Sequence, residues 1–454
     1  MKEQREQNHT QKPVGITRLT VCGFKSIRQE CSIDIAPLTI LAGANSSGKS
    51  SMLQPLLLIK QTLEAPFDPG ALLLNGPNVQ FTSANQLLSK SNKRSSRNAF
   101  TFGISVDEHY PVVIHFRRQP KAGFNVEKMI THYPRITFKE GLSHKAIEKN
   151  LPAPIRKICD DLYEQKDYTL AVERERSFLT IRLLDAGEDF VSHSERKETI
   201  GDFTLSPAIR EASFIYSTIH LPGLRGNPTR SYPMTAIGPS FPGTFEKYAA
   251  SVIATWQAEG DTEKIQRLRQ HLQQLYLASH IQANLLNDTQ IELRVRSYSE
   301  YGENNNDADT VNIADVGVGV SQTLPILVAL IVARHGQLVY IEQPEIHLHP
   351  RALLGLAAIL ADAAERGVRV VVETHSALLI LAIQTLVAEG RYAPELLKLH
   401  WFTLEDGVTK ITSTGLDRSG AFTEEWPEDF GSIEMSIQNR YLSASEAVQM
   451  EEMA

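Results

Sequence analysis

Leu38-Thr39-Ile40-Leu41-Ala42-Gly43-Ala44-Asn45-Ser46-Ser47-Gly48-Lys49-Ser50 is the stretch from which the rest of the chain is read. Gly43 to Ser50 fits G-x-x-x-x-G-K-[ST]. The apolar run before it reads as a strand. Leu53, Leu56, Leu57 and Leu63 sit at helical spacing, so a helix is expected from Lys49, although Pro55 interrupts the pattern. Strand before and helix after is the context in which such a loop cradles a polyphosphate. Its glycines let backbone N–H groups turn inward, and the helix N-terminus adds positive potential. Lys49 would neutralise phosphate charge and Ser50 would ligand Mg²⁺. The candidate nucleotide contacts are Gly43, Ala44, Asn45, Ser46, Ser47, Gly48, Lys49, Ser50 and Ser51.

A loop of this kind needs an acid to help hold the metal. Glu342, closing the apolar strand Leu338-Val339-Tyr340-Ile341, is the candidate, paired with Ser50 as the metal site. It lies so far from Lys49 that a long insertion must separate two halves of one site. The elements around it fit that division. Phe100, Phe102, Ile104 and Val106 alternate, as do shorter runs at 112–116, 135–138, 169–172 and 178–183, which predicts an antiparallel β arm. Thr244 to Leu286 reads as helical. Helices at 322–334, 353–365 and 377–388 alternate with strands at 338–341 and 369–372, the pattern of a parallel α/β layer. The predicted organisation is 1–75 and 311–400 as two halves of a nucleotide-binding head, 76–215 as the β arm, 216–310 as a helical insertion, and 401–454 as a β and acidic tail.

Composition excludes several classes. The chain has 454 residues, 42% apolar and 22% charged, which is globular rather than disordered. A net charge of −7 disfavours a dedicated nucleic-acid binder, although Lys90, Lys93, Arg94 and Arg97, and Arg117, Arg118 and Lys121, form local basic clusters. Cys22, Cys31 and Cys159 have no metal-ligand spacing and suit a reducing compartment. The longest strongly apolar stretch, Leu324 to Ala333, is too short to span a membrane, so a soluble cytoplasmic protein is expected. His347-x-His349 and Asp307-x-Asp309 have metal-like spacing. They read more simply as turn residues.

Five segments in order resemble the RecF-like and SMC-like ABC ATPases. They are Phe24-Lys25-Ser26, the phosphate loop, Asp315 to Gln322 in the place of the signature, Ile341 to Pro350 in that of the Walker B and D-loop, and Glu373-Thr374-His375-Ser376 in that of the switch histidine. Within this superfamily the chain is most similar to bacterial anti-phage ATPases, above all the ATPase subunit of Septu-type systems. Ile219 to Arg225 and Glu425-Trp426-Pro427 also look like segments of that group. The resemblance implies an ABC-type head that binds ATP and Mg²⁺ and pairs head to tail with a second copy. Lys25, Gly317, Gly319, Ser321 and Gln322 would then join the nucleotide contacts, the last four across the subunit junction, and His375 would sense the γ-phosphate. A separate HNH-type nuclease would be the partner, and DNA a further one.

One residue departs from that family. Gln343 stands where a catalytic Glu follows the Walker B acid. An amide cannot act as general base, so slow or absent hydrolysis is expected. Glu345 is the candidate substitute acid. The catalytic candidates are therefore Gln343, Glu345 and His375. The expected function is a nucleotide-gated ATPase-like subunit that controls a nuclease, and the competing one is a RecF-like repair ATPase that hydrolyses ATP on DNA. Gln54, Gln61 and Gln80 each fit a Q-loop position.

Overall fold

The computed structural model describes residues 14–90, 98–120, 123–132, 135–151, 153, 156–157, 168–185, 204–298, 310–424 and 440–441. In chain order its N-terminal part runs β1 (Ile16–Cys22), β2 (Cys31–Asp34), β3 (Leu38–Gly43), α1 (Lys49–Glu64), β4 (Ala99–Val106), β5 (Val112–Gln119), β6 (Gly123–His132) and β7 (Arg135–Phe138). Then come α2 (His144–Asn150), β8 (Tyr168–Glu175), β9 (Phe178–Asp185), β10 (Thr204–Leu205), α3 (Ile209–Ser217), β11 (Ile219–Leu221) and β12 (Tyr232–Pro233). The rest is α4 (Ala249–Ala258), α5 (Thr262–Gln274), β13 (Ala278–Asn287), β14 (Gln290–Ser297), β15 (Val311–Asn312), α6 (Val318–Val332), β16 (Leu338–Glu342), α7 (Leu353–Glu365), β17 (Arg369–Thr374), α8 (Ala377–Ala388), β18 (Leu397–Glu405) and β19 (Val408–Thr414).

The fold is α/β, as expected, with antiparallel strands set beside a mostly parallel sheet. Its central sheet has the order β11-β16-β17-β3-β18-β19, parallel except for β19. Every residue of β3 and β17 is buried, as parallel strands covered on both faces must be. Parity sorts the two faces. Leu38, Ile40, Val339, Ile341, Val370 and Val372 pack with α6, α7 and α8, while Leu41, Tyr340 and Val371 pack with α1 and the antiparallel strands. Helix α1 runs straight through Pro55.

Three boundaries and one strand differ from the sequence reading. β1 and β2 do not belong to the nucleotide sheet. They pair with the arm in the order β2-β1-β4-β5-β6-β7, so the segment 1–75 is shared between two sheets. β6 escaped notice because a bulge opposite His115 shifts its buried positions from Phe124 and Val126 to Met129, which breaks the alternation. The helical reading of 244–286 fails at its end. Ala278–Asn287 is a strand paired with β14, with Leu285 and Leu286 exposed near the hairpin tip. Finally, residue 400 falls inside β18. The β18–β19 hairpin turns on Asp406-Gly407, both with positive φ, and it belongs to the head rather than to a tail. The tail from 425 to 439, Asp307 and Asp309, and the basic cluster 93–97 lie outside the described residues. No helix among the described residues is long and apolar enough to cross a membrane.

Candidate nucleotide site

The phosphate loop sits between β3 and α1 at the carboxyl edge of the parallel sheet, where ligands of open α/β sheets bind. Two glycines there admit no side chain. A Cβ on Gly43 would lie 2.3 Å from the Phe402 carbonyl oxygen, and one on Gly48 would lie 2.3 Å from the Thr409 hydroxyl, both at positive φ. Thr409 donates to the Ser47 carbonyl at 2.8 Å and, its one proton spent there, accepts from Ser26 Oγ at 2.8 Å, so β19 and the Phe24–Ser26 turn clamp the loop from behind. Ala44, Asn45 and Ser46 are exposed at its rim. Lys49 is buried, and its ammonium donates to the Gly43 and Ala44 carbonyls at 3.0 and 2.7 Å. Burial lowers its pKa, against the opposing pull of Glu373 and Glu345.

Ser50 is where the expected metal pairing changes. Its hydroxyl donates to Glu373 Oε1 at 2.9 Å, not to Glu342. The reason is strand order. β17 lies between β3 and β16, so Glu373 is opposite Leu41 while Glu342 is one strand further away. The second oxygen of Glu373 accepts from Tyr340 Oη at 2.8 Å. Burial raises the Glu373 pKa, with the Glu342 charge acting in the same direction and Tyr340, Lys49 and Ser50 opposing. Glu342 is held elsewhere. Oε1 is 3.1 Å from His220 Nε2, and Oε2 accepts the Gly223 amide at 3.2 Å. Burial alone would push this carboxyl up, but His220, Gly223 and Arg225 hold it below the ordinary carboxylate value.

Behind Glu342 runs a polar chain that the sequence did not reveal. His220 Nδ1 meets Asn78 Oδ1 at 3.2 Å, and Asn78 Nδ2 donates to Glu64 at 3.4 Å. Glu64 pairs with Lys60, which is fully buried and also donates to the Phe241 and Gly243 carbonyls. The loop carrying Asn78 is folded around Gln61, whose amide bonds Leu73, Asn78 and Val79 main-chain atoms, so Gln61 is consumed in holding it. Gln80 is exposed, and Gln54 keeps a buried amide oxygen without a hydrogen bond.

The remaining candidates divide. Gln343 has φ 46°, with its amide N–H on the Glu373 carbonyl at 2.7 Å. Glu345 Oε1 accepts from Thr374 Oγ1 at 2.6 Å and the His375 amide at 3.1 Å, while Oε2 is buried without a hydrogen bond. His375 bonds the Gly43 main chain, and burial, then the Lys49 charge, lowers its pKa. Glu345 and His375 therefore meet, with His375 against the phosphate loop at Gly43, while the Gln343 side chain lies toward Gly223. Lys25 does not join them. Its ammonium lies over the Phe81 ring, 4.6 Å from the centroid, and burial lowers its pKa.

The signature is not a loop before a helix, as expected, but the first turn of one. Gly317 caps α6, and Gly319, Ser321 and Gln322 lie within it. Gly317 and Val318 are exposed, and the Ser321 hydroxyl donates to its own Val318 carbonyl. Gln322 departs from its expected role. It is buried, accepting the Arg225 amide and donating to the Gly226 carbonyl, so it faces inward. Arg225, also buried, bridges Gln322 to the Glu342 carbonyl at 2.6 Å, and burial lowers its pKa to about 10. Sequence reading singled out the Ile219–Arg225 segment without its roles.

The donor set suits ATP·Mg²⁺. Ser47 Oγ is buried in the loop without a hydrogen bond, as a group meant for a phosphate would be. The metal donors are hard oxygens, and among the described residues no group of three or more His, Cys, Asp or Glu is arranged so that it could hold a metal ion by itself. Mg²⁺ fits such a set because it takes one or two carboxylates and completes its shell with phosphate and water.

A family model described as "AAA domain, putative AbiEii toxin, Type IV TA system" matches residues 38–382. Comparison with curated proteins gives no match. Among solved structures, the Smc head bound to the C-winged helix domain of ScpA is 12% identical, covering 88% of this chain and 98% of that one, with TM-score 0.48. The SMC head domain from Thermotoga maritima is 10% identical over 88% and 98%, with TM-score 0.39. A Pyrococcus furiosus Smc head with an extended coiled coil, bound to the C-terminal domain of ScpA, is 12% identical over 88% and 96%, with TM-score 0.46.

Proposed function

The chain belongs to the AAA-domain family whose model it matches over residues 38–382, and from its site we propose that it is the ATP·Mg²⁺-binding subunit of a bacterial anti-phage defence complex. Nucleotide binding, with slow or absent hydrolysis, would control assembly and a partner nuclease. The observation that carries the nucleotide reading is the phosphate loop itself: Lys49, the unpaired Ser47 hydroxyl and the Ser50–Glu373 pair converge at one helix N-terminus. Slow turnover follows from Gln343, which supplies an amide where water activation needs a base. The exposed N-terminal turn of α6 supports a head-to-tail pair, since Gly317 and Val318 face outward. The defence role and the HNH-type nuclease rest on the sequence resemblance.

A working ATPase of the RecF-like kind is the second reading. Glu345 favours it, because one carboxylate oxygen is buried and unpaired beside His375. ATP binding and turnover measured on one preparation separate the two. Binding without turnover, with turnover gained in Gln343→Glu, supports the switch. Brisk wild-type turnover lost in Glu345→Gln supports the ATPase. Co-purification of a small nuclease tests the partnership.

A further inference from the structure

We propose that Glu373, rather than Glu342, is the carboxylate that shares the nucleotide-bound divalent cation with Ser50, and that Tyr340 holds it in position. This rests on the nucleotide reading above and assigns its metal site to a different strand.

Three observations carry it. The first is distance. Ser50 Oγ and Glu373 Oε1 are 2.9 Å apart. Two adjacent oxygens of an octahedral Mg²⁺ shell, each about 2.1 Å from the ion, are about 2.9 Å apart. A cation can therefore take both oxygens with little movement of either side chain. The second is availability. Both oxygens of Glu342 are engaged, by His220 and by the Gly223 amide, and its main-chain carbonyl is held by Arg225. Freeing it would strand a buried histidine. The third is preorganisation. Tyr340 is fully buried, stacks on His220 with centroids 5.4 Å apart, and fixes Glu373 Oε2. Glu373 thus keeps one oxygen anchored while the other faces Ser50. The neighbouring Lys49 offsets charge accumulating there.

The test is ATP binding by the full chain, titrated with a fluorescent ATP analogue in EDTA and again in Mg²⁺. Wild type is expected to bind in EDTA through Lys49 and the loop, and more tightly with Mg²⁺. Glu373→Gln should still bind in EDTA and lose the Mg²⁺-dependent gain by roughly tenfold or more. Glu342→Gln should keep that gain. Retained binding in EDTA shows that Glu373→Gln is folded, and Glu373→Asp, whose shorter reach should weaken the gain, serves if it is not. A gain retained by both Glu373 variants, or lost only in Glu342→Gln, overturns the assignment while leaving nucleotide binding intact. A wild-type chain that binds no ATP in either buffer overturns the nucleotide reading and the assignment with it.

Discussion

The carboxyl edge of the parallel sheet and the first turn of α6 are both expected to touch nucleotide, yet they are built in opposite ways. At the sheet edge every acid is held. Glu373 is fixed by Tyr340 and Ser50, Glu342 by His220 and Gly223, and the chain behind them ends in the buried Lys60–Glu64 pair. At α6, Gly317 and Val318 face outward, and Ser321 bonds only within its own turn. Residues fixed by buried bonds act through the stability of one chain, whereas exposed ones are free to serve another surface.

The largest expected effect lies at the buried end of the first region. Lys60→Met leaves Glu64 buried without its cation and should lower unfolding free energy by about 3–5 kcal/mol, measured by urea denaturation. A loss below about 1 kcal/mol would mean that the polar chain is not held as tightly as described.

His400 gives a pH test of the same region. It is buried, its Nε2 bonds the Asp34 carbonyl at 2.8 Å and its Nδ1 meets Ser413 Oγ at 2.7 Å. Burial pushes its pKa from 6.5 down to about 4. The unfolded chain therefore binds the proton first. Stability from this group is complete above its unfolded pKa and is lost as pH falls through the window down to about 4, by about 3 kcal/mol in all. Denaturation midpoints across that window should fall less steeply in His400→Gln than in wild type.

Lys49→Ala removes a buried cation from the loop and should weaken ATP binding roughly 10- to 100-fold, read by calorimetric titration. The smallest effect on stability belongs to the second region. Val318→Asp, at a side chain 49% exposed, should change unfolding free energy by no more than about 0.5 kcal/mol. It should nevertheless abolish ATP-dependent self-association in sedimentation. Loss of stability with association intact would erase the contrast between the two regions.

Much of the first region was legible in the sequence, because its signals are local. Gly43 to Ser50 carries its own strand and helix context, and the runs at 338–341, 353–365, 369–372 and 377–388 announced β16, α7, β17 and α8. What escaped depends on strand order. Nothing in Glu342 or Glu373 taken alone says that β17 intervenes between β3 and β16, and that single fact decides which acid meets Ser50. Asn78 and His220 escaped for the same reason, being 142 positions apart and joined only by the fold. Gln322 misled because its neighbours in the motif are outward-facing while helical spacing turns it toward Arg225.

The placement of β3 between β17 and β18 also sets a schedule for biosynthesis. The loop that would grip phosphate leaves the ribosome more than three hundred residues before either strand flanking β3, or the Thr409 that clamps the loop, is made. At the usual speed of translation the nascent loop waits on the order of tens of seconds for its neighbours. A prematurely terminated product ending before β18 would carry the whole phosphate-loop motif and still lack the scaffold that shapes it.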